Sequence, residues 1–285
     1  MKPLSFHRWF PRRSWTRAVG CFARHPASRW AIPLFVRIYR VDASEAEKPL
    51  GEYRTLSEFF GRRLRPGARV IDADAGTVVS PCDGKLSAQG MIREDTLIQA
   101  KNIAYPLDRL LGGDQDRAAA FHNGRFMTLY LSPQGYHRVH APATGEVVSW
   151  THIPGTFYPV NARGVREIPA LFTRNERVIT YLKTAYGLVA IVLVGALVVG
   201  GITVDFAPEC VSNRRPMTVR ARDLATPWPL QLGEEFGRFD VGSTVILLFP
   251  PGSLDEGTCV AHASSVRVGT PIARWEGGGH DTRTV

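Results

Sequence analysis

A Gly242-Ser243 bond stands directly before the apolar run Val245 to Phe249. A serine hydroxyl becomes a nucleophile when a base takes its proton and a third group orients that base. Upstream, His137 and His140 lie three apart in Tyr136-His137-Arg138-Val139-His140, and Asp83 sits in Ser80-Pro81-Cys82-Asp83-Gly84. Asp, His and Ser in this order are compatible with a triad, but triads occur in several chain orders, so order alone selects nothing. Each piece also has a plain structural reading: Gly-Ser-Thr as a turn entering a strand, Asp-Gly as hairpin chemistry, a histidine as a hydrogen-bonded half-buried side chain. Two histidines at this spacing could hold a metal from one helix, yet no third His or Cys ligand lies near, and no metal site is expected. On a strand the spacing sends them to opposite faces, so a turn or bulge must intervene if both serve one site.

The elements that would position these groups change character along the chain. Residues 14–24 and 30–40 predict two short amphipathic helices, the second strained by Pro33. Thr55 and Glu58 have capping-box spacing at the start of a further helix, closed by Pro66-Gly67. From Val78 onward, short Val, Ile, Leu and Thr runs punctuated by Asp-Gly, Pro-Gly and Gly-Gly predict a strand-rich body. The stretch Tyr186 to Val204 is 19 residues long without a charge, the length of a membrane span. Its Val and Ile content and its division by Gly187, Gly195, Gly200 and Gly201 predict two buried strands instead.

The 285 residues, 44% hydrophobic and 21% charged, suffice for one catalytic domain with a short appendage. The four cysteines form no C-x-x-C pair, which suits a reducing compartment and indicates neither a zinc site nor a disulfide framework. The net charge of +9 resides in residues 1–41, which hold nine of the 35 Lys and Arg residues and no acid; the other 26 balance the 26 acidic residues. The same segment carries Trp9, Trp15, Trp30 and five further large aromatics. Arginine interleaved with aromatics predicts an interfacial membrane segment rather than nucleic-acid binding. Arg, Pro or His interrupts every apolar run there, which argues against a secretory signal; an organelle transit peptide and a solvated basic tail are the other readings.

From about Leu34 to Pro250 the chain resembles the phosphatidylserine decarboxylases of the longer bacterial and mitochondrial type. The matching blocks include Ser80-Pro81-Cys82-Asp83-Gly84, Tyr136-His137-Arg138-Val139-His140, Pro154-Gly155, Leu171 to Val178, and Gly237-Arg238-Phe239 followed by Gly242-Ser243-Thr244. Val241 stands where the family usually has leucine before the cut, a swap between apolar residues. No recognisable motif covers Asp205 to Leu232.

The resemblance implies a self-cleaving proenzyme. Ser243 would be the processing serine, with Asp83 and His140 its triad partners and His137 in the substrate site, moving a proton. The chain would be cut at Gly242-Ser243 into residues 1–242, the beta chain, and 243–285, the alpha chain. Ser243 would become the covalent pyruvoyl group, the pyruvate cofactor and the site of Schiff-base formation with the substrate amine. The expected fold is α+β: a strand-rich single catalytic domain, residues 42–285, with an N-terminal amphipathic helical membrane-binding segment, residues 1–41. The expected partners are phosphatidylserine, an anionic membrane surface and the chain's own two fragments as a heterodimer, with further dimerisation left open; no nucleic acid is expected. The expected location is peripheral, on the cytoplasmic face of a bacterial cell membrane, ahead of a mitochondrial inner membrane. Asn175, Glu176 and Arg177 would either shape the site or form a structural ion pair. The alternatives are a pyruvoyl decarboxylase of a soluble amino acid, an uncleaved serine hydrolase and a noncatalytic lipid-binding protein.

Overall fold

A computed structural model describes residues 12–71, 73–100, 103–197, 201–210, 212, 218–240 and 243–277. Among these residues an eight-stranded antiparallel sheet forms the body. Its order is β11 (Arg220–Leu230), β7 (Gly145–Ile153), β8 (Arg177–Thr184), β9 (Gly187–Gly195), β13 (Ser243–Phe249), β5 (Arg125–Leu131), β2 (Gly84–Met91) and β15 (Ser265–Val266), numbered in chain order. A second sheet orders β10 (Ile202–Val204), β12 (Glu235–Phe239) and β6 (Arg138–His140). A third orders β1 (Thr77–Val79), β16 (Pro271–Trp275) and β14 (Leu254–Asp255), and β3 (Thr96–Ala100) pairs with β4 (Ile103–Pro106).

The central strands of the large sheet, β8, β9, β13 and β5, are covered on both faces. Along β13, Val245, Leu247 and Phe249 enter one core with Leu129 and Leu193, while Ile246 and Leu248 enter a second core with Phe126 and Val192. Successive side chains of a strand point to opposite faces, so a strand buried on both sides is apolar at every position. This explains the uncharged stretch Tyr186 to Val204. It holds β9 and β10, two buried strands as the sequence predicts, with residues 198–200 outside the described residues. No helix among the described residues is long and apolar enough to cross a membrane.

A helical layer precedes the sheets: α1 (Arg12–Arg24), a 3-10 turn over Pro26–Ala31, α2 (Ile32–Tyr39) and α3 (Leu56–Phe60). The predicted helix over 30–40 starts two residues later. Pro33 lies in the first turn, where a missing N–H breaks no bond, so it starts α2 rather than straining it. At α3, Thr55 Oγ1 accepts from Glu58 N at 3.0 Å, while Glu58 Oε2 accepts from Arg54 N at 2.9 Å, one residue earlier than in a strict capping box. The helix ends at Gly61; Pro66-Gly67 belongs to a separate turn in which Ala68 N donates to Arg65 O.

Buried Ser28 ties the layer together, its Oγ donating to Ala23 O and accepting from Leu56 N, both at 2.9 Å. Ile32, Val41, Tyr53 and Phe59 form its small core. The outward side is different: Trp15, Phe22, Leu34 and Ile38 are about half exposed or more, and Trp30 is 77% exposed.

Candidate active site

Ser243 is the first residue of β13, paired with Leu131 of β5 and Gly195 of β9. It is fully buried, and its Oγ has no hydrogen-bond partner among the described residues. An orphaned buried hydroxyl costs about 1–3 kcal/mol, which is why native interiors hold few of them. Strand alternation places Ser243 on the same face as Val245 and Leu247, the face whose core includes Cys82 and Val139, direct neighbours of Asp83 and His140. Val241 and Gly242 lie outside the described residues.

Asp83 sits between β1 and β2, which do not pair with each other, so the Asp-Gly step is no hairpin turn. Its carboxylate accepts from Arg69 in a two-pronged ion pair and from Val268 N at 2.9 Å. Arg69 also grips Glu45 at 2.9 Å and lies 6.0 Å from the Tyr136 ring.

The turn here precedes both histidines rather than separating them: Gly135 N donates to Ser132 O, His137 stands just before β6, and His140 ends it. His140 N donates to Pro81 O at 2.8 Å, pinning the strand to the Asp83 loop. Its Nδ1 lies 2.8 Å from Gly233 O and its Nε2 3.0 Å from Tyr136 Oη. A carbonyl only accepts, so the proton is assigned to Nδ1 and the basic lone pair to Nε2. Burial lowers the His140 pKa, opposed by the Gly233 hydrogen bond and the charges of Glu235 and Asp83.

His137 is fully buried and stacks on Phe60 with ring centroids 4.1 Å apart. Its Nε2 lies 3.0 Å from Ser132 O, while Nδ1 has no partner. By the same logic Nδ1 carries a free lone pair. Burial, reinforced by the Arg62 guanidinium, pulls its pKa down to about 3, so the ring is neutral at ordinary pH. The structure thus gathers Asp83 and His140 into one cluster through Arg69 and Tyr136, without a direct hydrogen bond between them or from either to Ser243 Oγ.

The Asn175-Glu176-Arg177 block contains no mutual ion pair. Asn175 Nδ2 donates to Gly195 O at 2.8 Å, holding the residue that pairs with Ser243. Glu176 pairs with His152 at 2.9 Å, and Arg177 donates to the carbonyls of Arg109, Leu110, Thr173 and Asn175. Gly155 belongs to the same buttress: a Cβ there would collide with the backbone of Asn175 and Glu176. Sequence reasoning missed Arg62, Arg69 and the role of Tyr136. Tyr136 lay inside a quoted motif; a lone arginine in an arginine-rich stretch gives no signal.

The family model described as phosphatidylserine decarboxylase matches residues 56–274. A phosphatidylserine decarboxylase proenzyme of Brevibacillus brevis is 42% identical over 272 residues, covering 95% of this chain and 96% of its own. That of Anaeromyxobacter sp. (strain K) is 42% identical, covering 94% and 96% respectively. That of Escherichia coli is 40% identical, covering 95% and 86%. With the motifs around Asp83, His140 and Ser243 all inside the matched span, the chain belongs to the phosphatidylserine decarboxylase family.

Proposed function

We propose that the chain decarboxylates phosphatidylserine to phosphatidylethanolamine with a pyruvoyl group made from its own Ser243. The observation that carries this reading is a fully buried serine with an unpartnered hydroxyl at the head of a central strand. A buried hydroxyl left unpaired among the described residues is costly to keep, and at this position it is available for chemistry.

In the proposed self-cleavage, His140 takes the proton from Ser243 Oγ, which attacks the Gly242 carbonyl carbon; the amide nitrogen leaves and an ester forms. Asp83, oriented by Arg69, steadies the imidazolium, Gly233 O holds Nδ1–H, and Tyr136 Oη, which donates to Nε2 in this structure, gives up that lone pair for the transfer. β-Elimination then releases residues 1–242 with a new carboxylate, and the remaining dehydroalanine takes up water and loses ammonia to become pyruvoyl. The surroundings fit such a group: the strand interior beside Leu131 and Gly195 excludes water. When present, the group supplies an electron sink for the carbanion that carbon dioxide leaves behind. His137, neutral and with Nδ1 open, is suited to hold or deliver a proton there.

Residues 1–242 and 243–285 would remain one particle, because the smaller piece contributes β13, flanked by β9 and β5, together with β15 and β16. The exposed Trp30, Leu34 and Ile38 would lie against an anionic membrane, the protein residing peripherally on its cytoplasmic face.

Mass spectrometry of the purified protein tests the reading. The expected result is two masses, the smaller being the 43-residue piece 243–285 with a pyruvoyl terminus that resists Edman degradation. A single intact chain that releases carbon dioxide from the lipid would overturn it.

A further inference from the structure

A cavity of about 850 Å³ lies between α1, the end of α3 and residues 201–203 and 238–240. Its size suits a small-molecule site, but its walls are cationic. Three basic side chains on it have carboxylate partners: Arg24 with Asp240 at 3.9 Å, Lys48 with Glu58 at 3.2 Å, and Arg138 with Glu235. Arg17, Arg62, Arg63 and Arg238 also line it and form no ion pair among the described residues, against one lining carboxylate, Glu47, in the same condition.

Arg62 is the decisive residue. It is 4% exposed, and its Nη2 donates to Gln134 O and Gly135 O at 3.3 and 3.2 Å. Its Nε and Nη1 have no hydrogen-bond partner among the described residues, and the guanidinium carbon lies 5.0 Å from the centre of the Phe59 ring. A buried guanidinium with two idle donors is costly, and its planar fork matches a phosphate or carboxylate. The two carbonyls it grips belong to the turn leading into His137, and Asp240, another lining residue, precedes Gly242 by two residues in the sequence. An anion held here would adjoin the proposed chemistry.

Helix α1 supplies the link to the lipid surface. Arg17, Cys21 and Arg24 are spaced to share one helix face and line the cavity, whereas Trp15 and Phe22 share the opposite, exposed face. Of the two anions on a phosphatidylserine headgroup, the carboxylate is the one that departs. A guanidinium clamped on it would stabilise the ground state and oppose the reaction. The phosphodiester keeps its charge throughout.

We propose that this cavity is the phosphodiester subsite for the lipid substrate, with Arg62 as its buried anchor and Arg17 and Arg238 on its walls; the assignment rests on the substrate being phosphatidylserine. The test compares processed full-length wild type, Arg17→Ala/Arg238→Ala and Arg62→Lys by carbon dioxide release from dihexanoyl phosphatidylserine. Glycerophosphoethanolamine and inorganic phosphate serve as competitors. KM is expected to rise about tenfold or more in the double variant, with a smaller change in kcat, and Arg62→Lys is expected to raise KM because an ammonium cannot fork. Glycerophosphoethanolamine should compete with wild type and bind the double variant at least tenfold more weakly. An unchanged KM with undiminished competition in the double variant overturns the proposal, as does equal competition by inorganic phosphate. Should Arg62→Lys fail to fold, the double variant, whose side chains are partly exposed, decides alone. If wild type releases no carbon dioxide from the lipid, the substrate reading fails by itself, and calorimetric binding of glycerophosphoethanolamine to both proteins still decides the subsite.

Discussion

Strand β13 and helix α2 are both strongly apolar, yet the chain treats them in opposite ways. All seven residues of β13 are buried, its side chains split between two cores and its backbone paired on both edges. In α2, Ile32 alone is fully buried, while Leu34 and Ile38 are 60% and 62% exposed. The strand is complete within the molecule; the helix leaves an apolar face exposed. Hydrophobicity in a sequence therefore marks what must leave water without saying where it goes.

The sharpest way to break this contrast is at the head of β13. Ser243→Ala should leave the sheet intact by circular dichroism and abolish both cutting and decarboxylation, a loss of at least about a thousandfold in the assay. Asp83→Asn and His140→Ala should accumulate uncut precursor on a denaturing gel. His137→Ala should be cut yet decarboxylate about a hundredfold more slowly. If His137→Ala blocked cutting while His140→Ala was cut normally, the free Nδ1 of His137 would become the processing base.

A second pair of variants measures burial directly. Leu247→Ala in β13 should lower unfolding free energy by about 2–5 kcal/mol in urea titration, whereas Leu34→Ala in α2 should stay within about 0.5 kcal/mol. Comparable losses would show that α2 is covered in the isolated protein.

The membrane side sharpens the comparison from the other direction. Replacing Trp30, Leu34 and Ile38 together by serine should weaken binding to anionic vesicles at least about tenfold in flotation, with self-cleavage unchanged. Binding of the unaltered protein should fall with added salt but not vanish, since the attraction combines charge and apolar contact. Point substitution is preferable to removing residues 1–33. That truncation would remove Ser28, whose Oγ links Ala23 O to Leu56 N of α3.

The smallest effect is electrostatic. The pKa values of His137, near 3, and of His140 are depressed by burial, so both groups favour the neutral folded state. Their contribution is present above the unfolded histidine value of about 6.5 and is lost as pH falls toward the folded values. For His137, urea titrations at pH 7 and pH 6 should differ by under about 1 kcal/mol, the lower pH being less stable, and His137→Gln should flatten that slope. Greater stability at pH 6 would contradict the burial of both rings.

The family was legible because the motifs holding Asp83, His137, His140 and Ser243 are long, and β9 and β10 were legible because glycines cut an uncharged run to strand length. The start of α2 was misjudged because proline is disruptive in a helix interior and harmless in the first turn. Arg69 and Arg62 were invisible for a different reason. Their significance lies in what they meet, Asp83 fourteen residues away and the turn before His137 more than seventy away, and separation of that kind leaves no local pattern.

The position of Ser243 at the head of a strand clamped from both sides has one more consequence under the proposed chemistry. A prosthetic group carried there has no dissociation constant. Dilution and dialysis cannot strip it, no supply of free cofactor can restore it, and each polypeptide receives one copy for its lifetime. Under that chemistry, what the central sheet's stability governs is whether the group stays beside the rest of the site, not whether it stays attached.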